Sequence, residues 1–150
     1  MPKQKGRNNL LHTIDAKGRV SVPVHIRRTL RYGETIVLTK GLDPCIYAFV
    51  SEEWKKIQSL FEKKLEEIPL GRKKDRDLIR KVMGEAEEIE IDPQGRIRIP
   101  GHLAEYAGIN STCFFVKMPG WFEIWNPDTY KESMKEADKL TELEGIYNEG

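Results

Sequence analysis

The chain has 150 residues, of which 39% are hydrophobic and 33% charged, and its formal net charge is +1. A chain of this length buries a core of its own, as one ordinary domain or as two small intertwined lobes. No apolar run approaches the roughly 18 residues of a membrane span and no signal-peptide core is present, so we expect a cytoplasmic protein.

The charges are unevenly distributed along the chain. Residues 1–31 hold eight basic side chains and one acidic one (+7), whereas the other 119 residues hold 17 basic and 23 acidic side chains (−6). A block of one sign marks either a polyanion contact or a solvated tail. A tail explains the first three basic residues, but it explains Arg19, Arg27 and Arg28 poorly, because these lie within patterned structure.

We predict a first structural unit over residues 8–54. Strands at Leu10–Ile14 and Val20–Val22 flank a turn, and Pro23 opens a short helix over Val24–Leu30. Two further strands are predicted at Ile36–Thr39 and Cys45–Val50.

Connecting helices are predicted over residues 55–85. Ser51 is a good N-cap, and apolar residues from Trp54 onward recur at spacings of three and four. Pro69 and Gly71 break this pattern before a second helix over Lys73–Gly84.

A second unit, over residues 86–130, repeats the order of the first. Its predicted elements are strands at Ile89–Ile91 and Ile97–Ile99, a helix from Pro100 to Ala107 stopped by Gly108, and strands at Thr112–Lys117 and Trp121–Trp125. An amphipathic helix and tail, capped by Asn126, are predicted over residues 131–150, with residues 145–150 frayed. The two cysteines, Cys45 and Cys113, lie in apolar stretches and are expected to be reduced core thiols.

The strongest sequence signal is an internal repeat. Asp15-Ala-Lys-Gly18-Arg19-Val-Ser-Val-Pro23 returns 77 positions later as Asp92-Pro-Gln-Gly95-Arg96-Ile-Arg-Ile-Pro100. Two copies in matching surroundings indicate a duplicated unit of strand, strand, helix, strand and strand.

Strand alternation predicts where the two motif arginines lie. Keeping apolar residues on one face pairs Ile91 with Ile97 and Ile14 with Val20 within local hairpins, and likewise Ile89 with Ile99 and Glu90 with Arg98. Arg19 and Arg96 then lie in the turn or in a bulge beside it, with Gly18 and Gly95 at positive φ.

Each motif arginine has two interpretations. It is displayed from the turn toward a phosphate or a guanine edge, or it merely pairs with its own aspartate, Asp15 or Asp92. These aspartates are also expected to accept hydrogen bonds from turn amides. The repeat and the basic N-terminal segment together favour the first interpretation.

The motifs resemble a known family. Asp15-x-x-Gly18-Arg19-Val-x-x-Pro23-x-x-x-Arg27-Arg28-x-Leu30 is similar to the AbrB-type DNA-binding unit of bacterial regulators and antitoxins, and its duplication resembles the MraZ family of transcriptional regulators. His12-Thr-Ile-Asp15, Gly41-Leu-Asp-Pro-Cys45, Ala86-Glu-Glu-Ile-Glu-Ile-Asp92 and Glu105-Tyr-Ala-Gly108 carry the same resemblance, which covers residues 8–130. The segment Lys5-Gly6-Arg7-Asn8-Asn9 departs from the usual start of the family.

The resemblance implies an α+β fold, a swapped-hairpin double-split β-barrel in which the two repeats pair as a pseudo-dimer. It also implies a nucleoid-associated, ring-shaped homo-oligomer that binds short direct repeats upstream of its own division and cell-wall operon, chiefly as a repressor. We expect no cofactor and no metal. The implied DNA-binding residues are Arg19, Arg27, Arg28 and Arg96. To these our own hypothesis adds Lys17 and Arg98 as weaker candidates, and the motif-supporting turn residues are Asp15, Gly18, Pro23, Asp92, Gly95 and Pro100. Ala104 and Glu105 stand where the first repeat has its helix arginines, so helix-borne phosphate contacts are expected from the first repeat only.

Two other classes of function are alternatives, an enzyme and a protein-binding antitoxin. An enzyme would need a constellation around His12, His25 or His102, but the sequence has no HxxxH, CxxC, nucleophile elbow or phosphate loop. A protein-binding antitoxin could use the acidic C-terminus, where residues 132–150 hold six acidic and two basic side chains. The duplication argues against it, because antitoxins of this barrel class usually carry one repeat.

Overall fold

A computed structural model describes residues 11–30, 33–67 and 71–140. The first repeat contains β1 (His12–Thr13), β2 (Arg19–Ser21), α1 (Val24–Arg27), β3 (Thr35–Lys40) and β4 (Ile46–Val50), followed by α2 (Ser51–Glu67), α3 (Lys73–Ile79) and a π-helical segment (Arg80–Gly84). The second repeat contains β5 (Glu87–Glu90), β6 (Arg96–Arg98), α4 (Gly101–Ala107), β7 (Thr112–Met118) and β8 (Trp121–Trp125), followed by α5 (Pro127–Ala137). The predicted order of strand, strand, helix, strand and strand is confirmed in both repeats.

Most helix boundaries follow the predicted caps and stops. Gly108 ends α4 in the left-handed conformation, at φ 68°. Asn126 caps α5, since its side-chain oxygen accepts hydrogen bonds from the amides of Asp128 at 2.7 Å and Thr129 at 3.1 Å. In contrast, α1 ends at Arg27, three residues sooner than predicted. The predictions for the basic N-terminus, Pro69 and the frayed tail fall on residues 1–10, 68–70 and 141–150, outside the described residues.

The two repeats exchange their first strands. In the six-stranded sheet the order is β1-β7-β8-β4-β3-β5, so each repeat's first strand lies against the third strand of the other repeat. The second strands of the two repeats, β2 and β6, pair with each other in a separate antiparallel ribbon. The implied fold, a swapped-hairpin double-split β-barrel, is confirmed.

The local hairpin pairings are wrong. Val20 lies opposite Ile97 rather than Ile14, and Ile89 lies opposite Ile36 rather than Ile99. Arg96 is the first residue of a strand and not part of a loop or bulge. Alternation specifies which face of a strand is buried, but it does not specify the partner strand, and here the partner comes from the other repeat.

The main core lies between the curled sheet, the ribbon and the two short helices. Ile26 of α1 and Leu103 of α4 occupy equivalent places in the two repeats and are 1% and 0% exposed. Both pack with the central ribbon pair, Val20 and Ile97. Burial of each such side chain contributes about 1.5–3 kcal/mol relative to exposure. The apolar residues that follow each motif, Ile26 and Leu103, therefore pack against the buried face of the ribbon.

A second apolar cluster covers the outer face of the sheet. Trp54 of α2 packs with Val37, Phe49 and Val82. The Thr39 hydroxyl donates to the Val82 carbonyl at 2.6 Å and ties the π-helical segment to the sheet. The connecting helices thus stabilise the sheet on the side away from the ribbon.

Both cysteines are buried free thiols, as predicted. Burial raises the pKa of Cys113 to about 12, and burial also raises the pKa of Cys45. Neither thiol ionises near neutral pH, so both act as core side chains.

Within the described residues, no helix is long and apolar enough to cross a membrane.

Candidate nucleic-acid interface

The side chain of Asp15 closes the first glycine turn. Its Oδ1 accepts hydrogen bonds from the amides of Lys17 and Arg19, each at 2.9 Å, and its Oδ2 accepts one from Arg19 Nε at 2.9 Å. Gly18 adopts φ 84°, a conformation that glycine reaches without the steric cost of a Cβ atom. The turn therefore holds the guanidinium of Arg19 by its Nε edge.

The second turn has the same geometry. Asp92 Oδ1 accepts from the amides of Gln94 and Arg96, each at 2.9 Å, and its Oδ2 accepts from Arg96 Nε at 2.9 Å. Gly95 adopts φ 80°. The positive φ angles and the capping aspartates are confirmed. The two interpretations of each motif arginine, pairing with its aspartate and display toward DNA, are compatible. The ion pair uses Nε, and the two Nη groups make no hydrogen bond to the residues that the structure describes.

Local hydrogen bonds keep both turn carboxylates ionised. The pKa of Asp15 lies below its ordinary value, chiefly because the Arg19 amide donates to the carboxylate, with the Lys17 amide and the Arg19 side chain adding to the effect. The pKa of Asp92 is lowered in the same way, first by the amide of Arg96. Exposed ion pairs of this kind contribute little to stability, so their main effect is to orient the arginine.

The β2–β6 ribbon brings arginines of both repeats to one surface. Arg19 lies opposite Arg98, and Ser21 lies opposite Arg96, while the central pair points into the core. Because successive side chains of a strand point to opposite faces, these four residues share the outer face of the ribbon. Like charges directly opposite each other are destabilising, so the arrangement favours a bound polyanion. A two-stranded ribbon is also an element that the DNA major groove admits.

Backbone hydrogen bonds lock the ribbon to the two turns. The Val22 amide donates to the Gly95 carbonyl at 2.9 Å, and the Ile99 amide donates to the Gly18 carbonyl at 2.9 Å. Each turn is thus fixed to the strand of the other repeat. The positions of the two motif arginines are consequently set by one rigid unit rather than by two separate hairpins.

Helix α1 places its two arginines differently. Arg28 is exposed at the end of the helix, whereas Arg27 is half-buried. Its side chain crosses to the second turn, where Nη1 lies 3.5 Å from the Gln94 carbonyl oxygen. Pro23 and Pro100 stand just before α1 and α4, with φ near −60°.

The structure thus sorts the predicted site residues into groups. Arg19, Arg96 and Arg98 come together on the ribbon; Lys17 is exposed in the first turn, and Arg28 is exposed on a separate element. The sequence predicted Arg98 only as a weaker DNA-binding candidate and did not place Ser21 on the same surface. The alternation of Arg96, Ile97 and Arg98 already placed two arginines on one face, but only the pairing of the repeats places Arg98 opposite Arg19.

The histidines, which prompted the enzyme alternative, occupy structural positions. His102 Nε2 lies 3.2 Å from the Glu85 carbonyl oxygen, and its Nδ1 lies 3.3 Å from a Glu87 carboxylate oxygen. His12 packs edge-on against Phe115, with ring centroids 5.2 Å apart. Burial lowers the pKa of His12 and of His25. Within residues 11–30, 33–67 and 71–140, no group of three or more histidine, cysteine or acidic side chains could hold a metal ion.

Together these features define a class of protein: a duplicated swapped-hairpin barrel that presents arginines from aspartate-anchored glycine turns. The family described as "MraZ protein, putative antitoxin-like" matches residues 7–81 and 82–144. Proteins named Transcriptional regulator MraZ from Caldanaerobacter subterraneus, a Thermoanaerobacter species and Ligilactobacillus salivarius are 43%, 44% and 40% identical, each over 85% of both chains. The chain therefore belongs to the MraZ family, as the motifs predict. Membership supports a DNA-binding transcription regulator rather than an enzyme.

Proposed function

We propose that this protein regulates transcription by binding specific DNA through the outer face of the β2–β6 ribbon, chiefly as a repressor. The observation that carries the proposal is the cross-strand register, with Arg19 opposite Arg98 and Arg96 one pair away. Three cations on one narrow ribbon match the charge of a nucleic acid.

The chemistry of the turns suits direct readout of bases. A guanidinium held at Nε keeps its two Nη groups aligned, and such a fork binds a guanine edge or a phosphate through two hydrogen bonds. Arg19 and Arg96 have this geometry through Asp15 and Asp92. The exposed side chains of Lys17 in the first turn and Arg28 at the end of α1 would bind phosphates, which position the protein without reading sequence.

A homo-oligomer, expected to be a ring, is part of the proposal. One ribbon with three arginines makes few contacts, so a single subunit would bind with modest affinity. Linking subunits raises the effective concentration of each further ribbon at a repeated site. The proposed target is therefore a set of short direct repeats upstream of the protein's own division and cell-wall operon, and the protein would lie at the nucleoid.

Fluorescence anisotropy with the DNA upstream of the protein's own gene tests the proposal. A duplex carrying the natural sequence should bind about a thousandfold more tightly than a scrambled duplex of equal composition. Affinity should fall steeply as salt rises, because each phosphate contact releases condensed counterions. Equal binding of the two duplexes would refute specific recognition. Light scattering on the free and bound protein tests the oligomer separately, and a monomer in both samples would refute that part alone.

An antitoxin function is the alternative. It is favoured by the antitoxin-like description of the family and by the acidic C-terminal residues. It predicts a stoichiometric protein partner that co-purifies with the chain. Finding such a partner together with a flat salt dependence of DNA binding would select it over the regulator.

A further inference from the structure

The two arginine turns are covered differently, although their backbones are alike. Gly95 is buried and Gly18 is half-buried. The difference arises from the side chain of Arg27 in α1, which packs over the second turn; no equivalent side chain of the described residues packs over the first turn. The equivalent of Arg27 in the second repeat is Ala104, whose side chain ends at Cβ.

Arg27 lies directly across Gly95. A Cβ atom built on Gly95 would overlap Arg27 Nη1 and come 2.6 Å from its Cδ, closer than real Cβ contacts allow. The guanidinium also reaches the neighbouring Gln94 carbonyl, at the long distance of 3.5 Å. Packing of the stem and the planar head on the glycine is therefore the dominant contact.

The first turn is open on the corresponding side. A Cβ atom on Gly18 would meet only the Ile99 carbonyl oxygen at 3.5 Å and Arg98 Cγ at 3.9 Å, both ordinary contacts. The surface cavity beside this turn measures about 590 Å³, against about 330 Å³ for the cavity beside the second turn, where Arg27 is part of the wall. The first turn thus lacks the side-chain cover that Arg27 gives to the second.

The covered turn leads directly into an arginine of the ribbon. Arg96 follows Gly95, and its amide and Nε both donate to Asp92. Any shift of the Gln94–Gly95 peptide would therefore change where the Arg96 guanidinium points. The position of Arg27 couples helix α1 of the first repeat to the arginine of the second.

We propose that Arg27 is a positioning residue whose side chain clamps the second turn and so presets the direction of Arg96, while the first turn is held by its backbone and aspartate hydrogen bonds without such a clamp. This inference rests on the proposed DNA-binding function. According to it, Arg27 contacts the second turn of the protein and does not make the DNA contact that the family resemblance implies. It leaves Arg28, the exposed neighbour on the same helix, as the phosphate-binding arginine of α1.

Amide hydrogen exchange in the free protein tests the clamp without DNA. Arg27→Ala should speed exchange of the Gly95 and Arg96 amides by about tenfold, because the turn loses its cover, and should leave Gly18 and Arg19 unchanged. Arg27→Met keeps a long stem over the glycine and should retain most of the protection. Arg28→Ala is the matched control and should leave both turns unchanged. Unaltered exchange at Gly95 in a folded Arg27→Ala protein would overturn the proposal.

DNA binding then separates positioning from phosphate contact. Arg27→Ala should weaken operator binding with an unchanged salt slope, and Arg27→Met should restore most of the affinity. A phosphate contact would instead make Ala and Met equally weak and reduce the slope by about 0.9, which would overturn the proposal.

A double-mutant cycle identifies the arginine on which Arg27 acts. The cost of Arg27→Ala should largely vanish in an Arg96→Ala background and persist in an Arg19→Ala background. Equal costs in the two backgrounds would indicate general structural damage and refute positioning of Arg96. If the wild-type protein bound no DNA, the proposed function would fail, whereas the exchange result would still decide whether the clamp exists.

Discussion

Replacing both motif arginines with alanine isolates their contribution to DNA binding. In Arg19→Ala/Arg96→Ala the backbone bonds to the two aspartates persist, because Asp15 and Asp92 accept from main-chain amides as well as from the side chains. The positive φ at each glycine and the buried ribbon pair are also untouched. We therefore expect the double variant to fold and assemble like the wild-type protein.

The expected loss of affinity follows from the contacts that a guanidinium fork makes. A good bidentate contact to a base discriminates by about 1–3 kcal/mol. Two such contacts per subunit correspond to roughly a 30-fold to 20,000-fold loss of specific binding, if the two turns act independently. If either arginine binds a phosphate instead, the salt slope should fall by about 0.9 for that arginine.

The measurement is anisotropy with operator and scrambled duplexes over a series of salt concentrations. Arg72→Ala/Arg80→Ala is the matched control, since it also removes two aspartate-paired arginines. Arg72 Nε lies 2.8 Å from Asp75 Oδ2 and Arg80 Nη1 lies 2.8 Å from Asp77 Oδ1, at the two ends of α3. Its affinity should stay within about twofold of the wild type. If the double variant bound as tightly as this control while remaining folded, the ribbon would not be the DNA-binding surface.

Three further predictions concern stability and pH. Gly18→Ala and Gly95→Ala should lower the free energy of unfolding by similar amounts, about 1–2 kcal/mol each, because both positions have a positive φ and the further contact of Gly95→Ala is with the movable end of Arg27. A loss close to zero in urea titrations of either variant would contradict the positive φ at that turn. Burial raises the pKa of Glu123, so its protonation stabilises the fold as pH falls from neutral through that raised pKa. The free energy of unfolding of the wild type, relative to that of Glu123→Gln, should therefore increase over this range. A difference that does not depend on pH would be inconsistent with a buried carboxylate. The lowered pKa values of Asp15 and Asp92 mean that the ionised carboxylates stabilise the turns above about pH 4, and this contribution should be lost as pH falls further. The NMR signals of Arg19 Nε and Arg96 Nε should shift only in that acidic range. A shift near neutral pH would refute the pairing of these arginines with the two aspartates.

Local features of the protein were predictable from the sequence because their causes are local. The strand Trp121–Trp125 lies where it was predicted, and Gly108 stops α4 as expected from its position after an apolar helix. The ion pair between Asp15 and Arg19 spans four residues and needs only a glycine turn to form. Likewise, the duplicated motif and the AbrB-like pattern were sufficient to indicate the family and its swapped-hairpin fold.

Strand pairing was decided by the tertiary structure. The sequence by itself determined which face of β2 and β6 is buried, because alternation has a period of two, and it determined that Gly18 and Gly95 adopt positive φ. It did not determine that Val20 pairs with Ile97, since many apolar strands offer an equivalent partner and only the joint packing of both repeats selects one. The approach of Arg98 to Arg19, and of Arg27 to Gly95, depends on that exchange, because each contact joins residues that lie far apart in the chain and belong to different repeats.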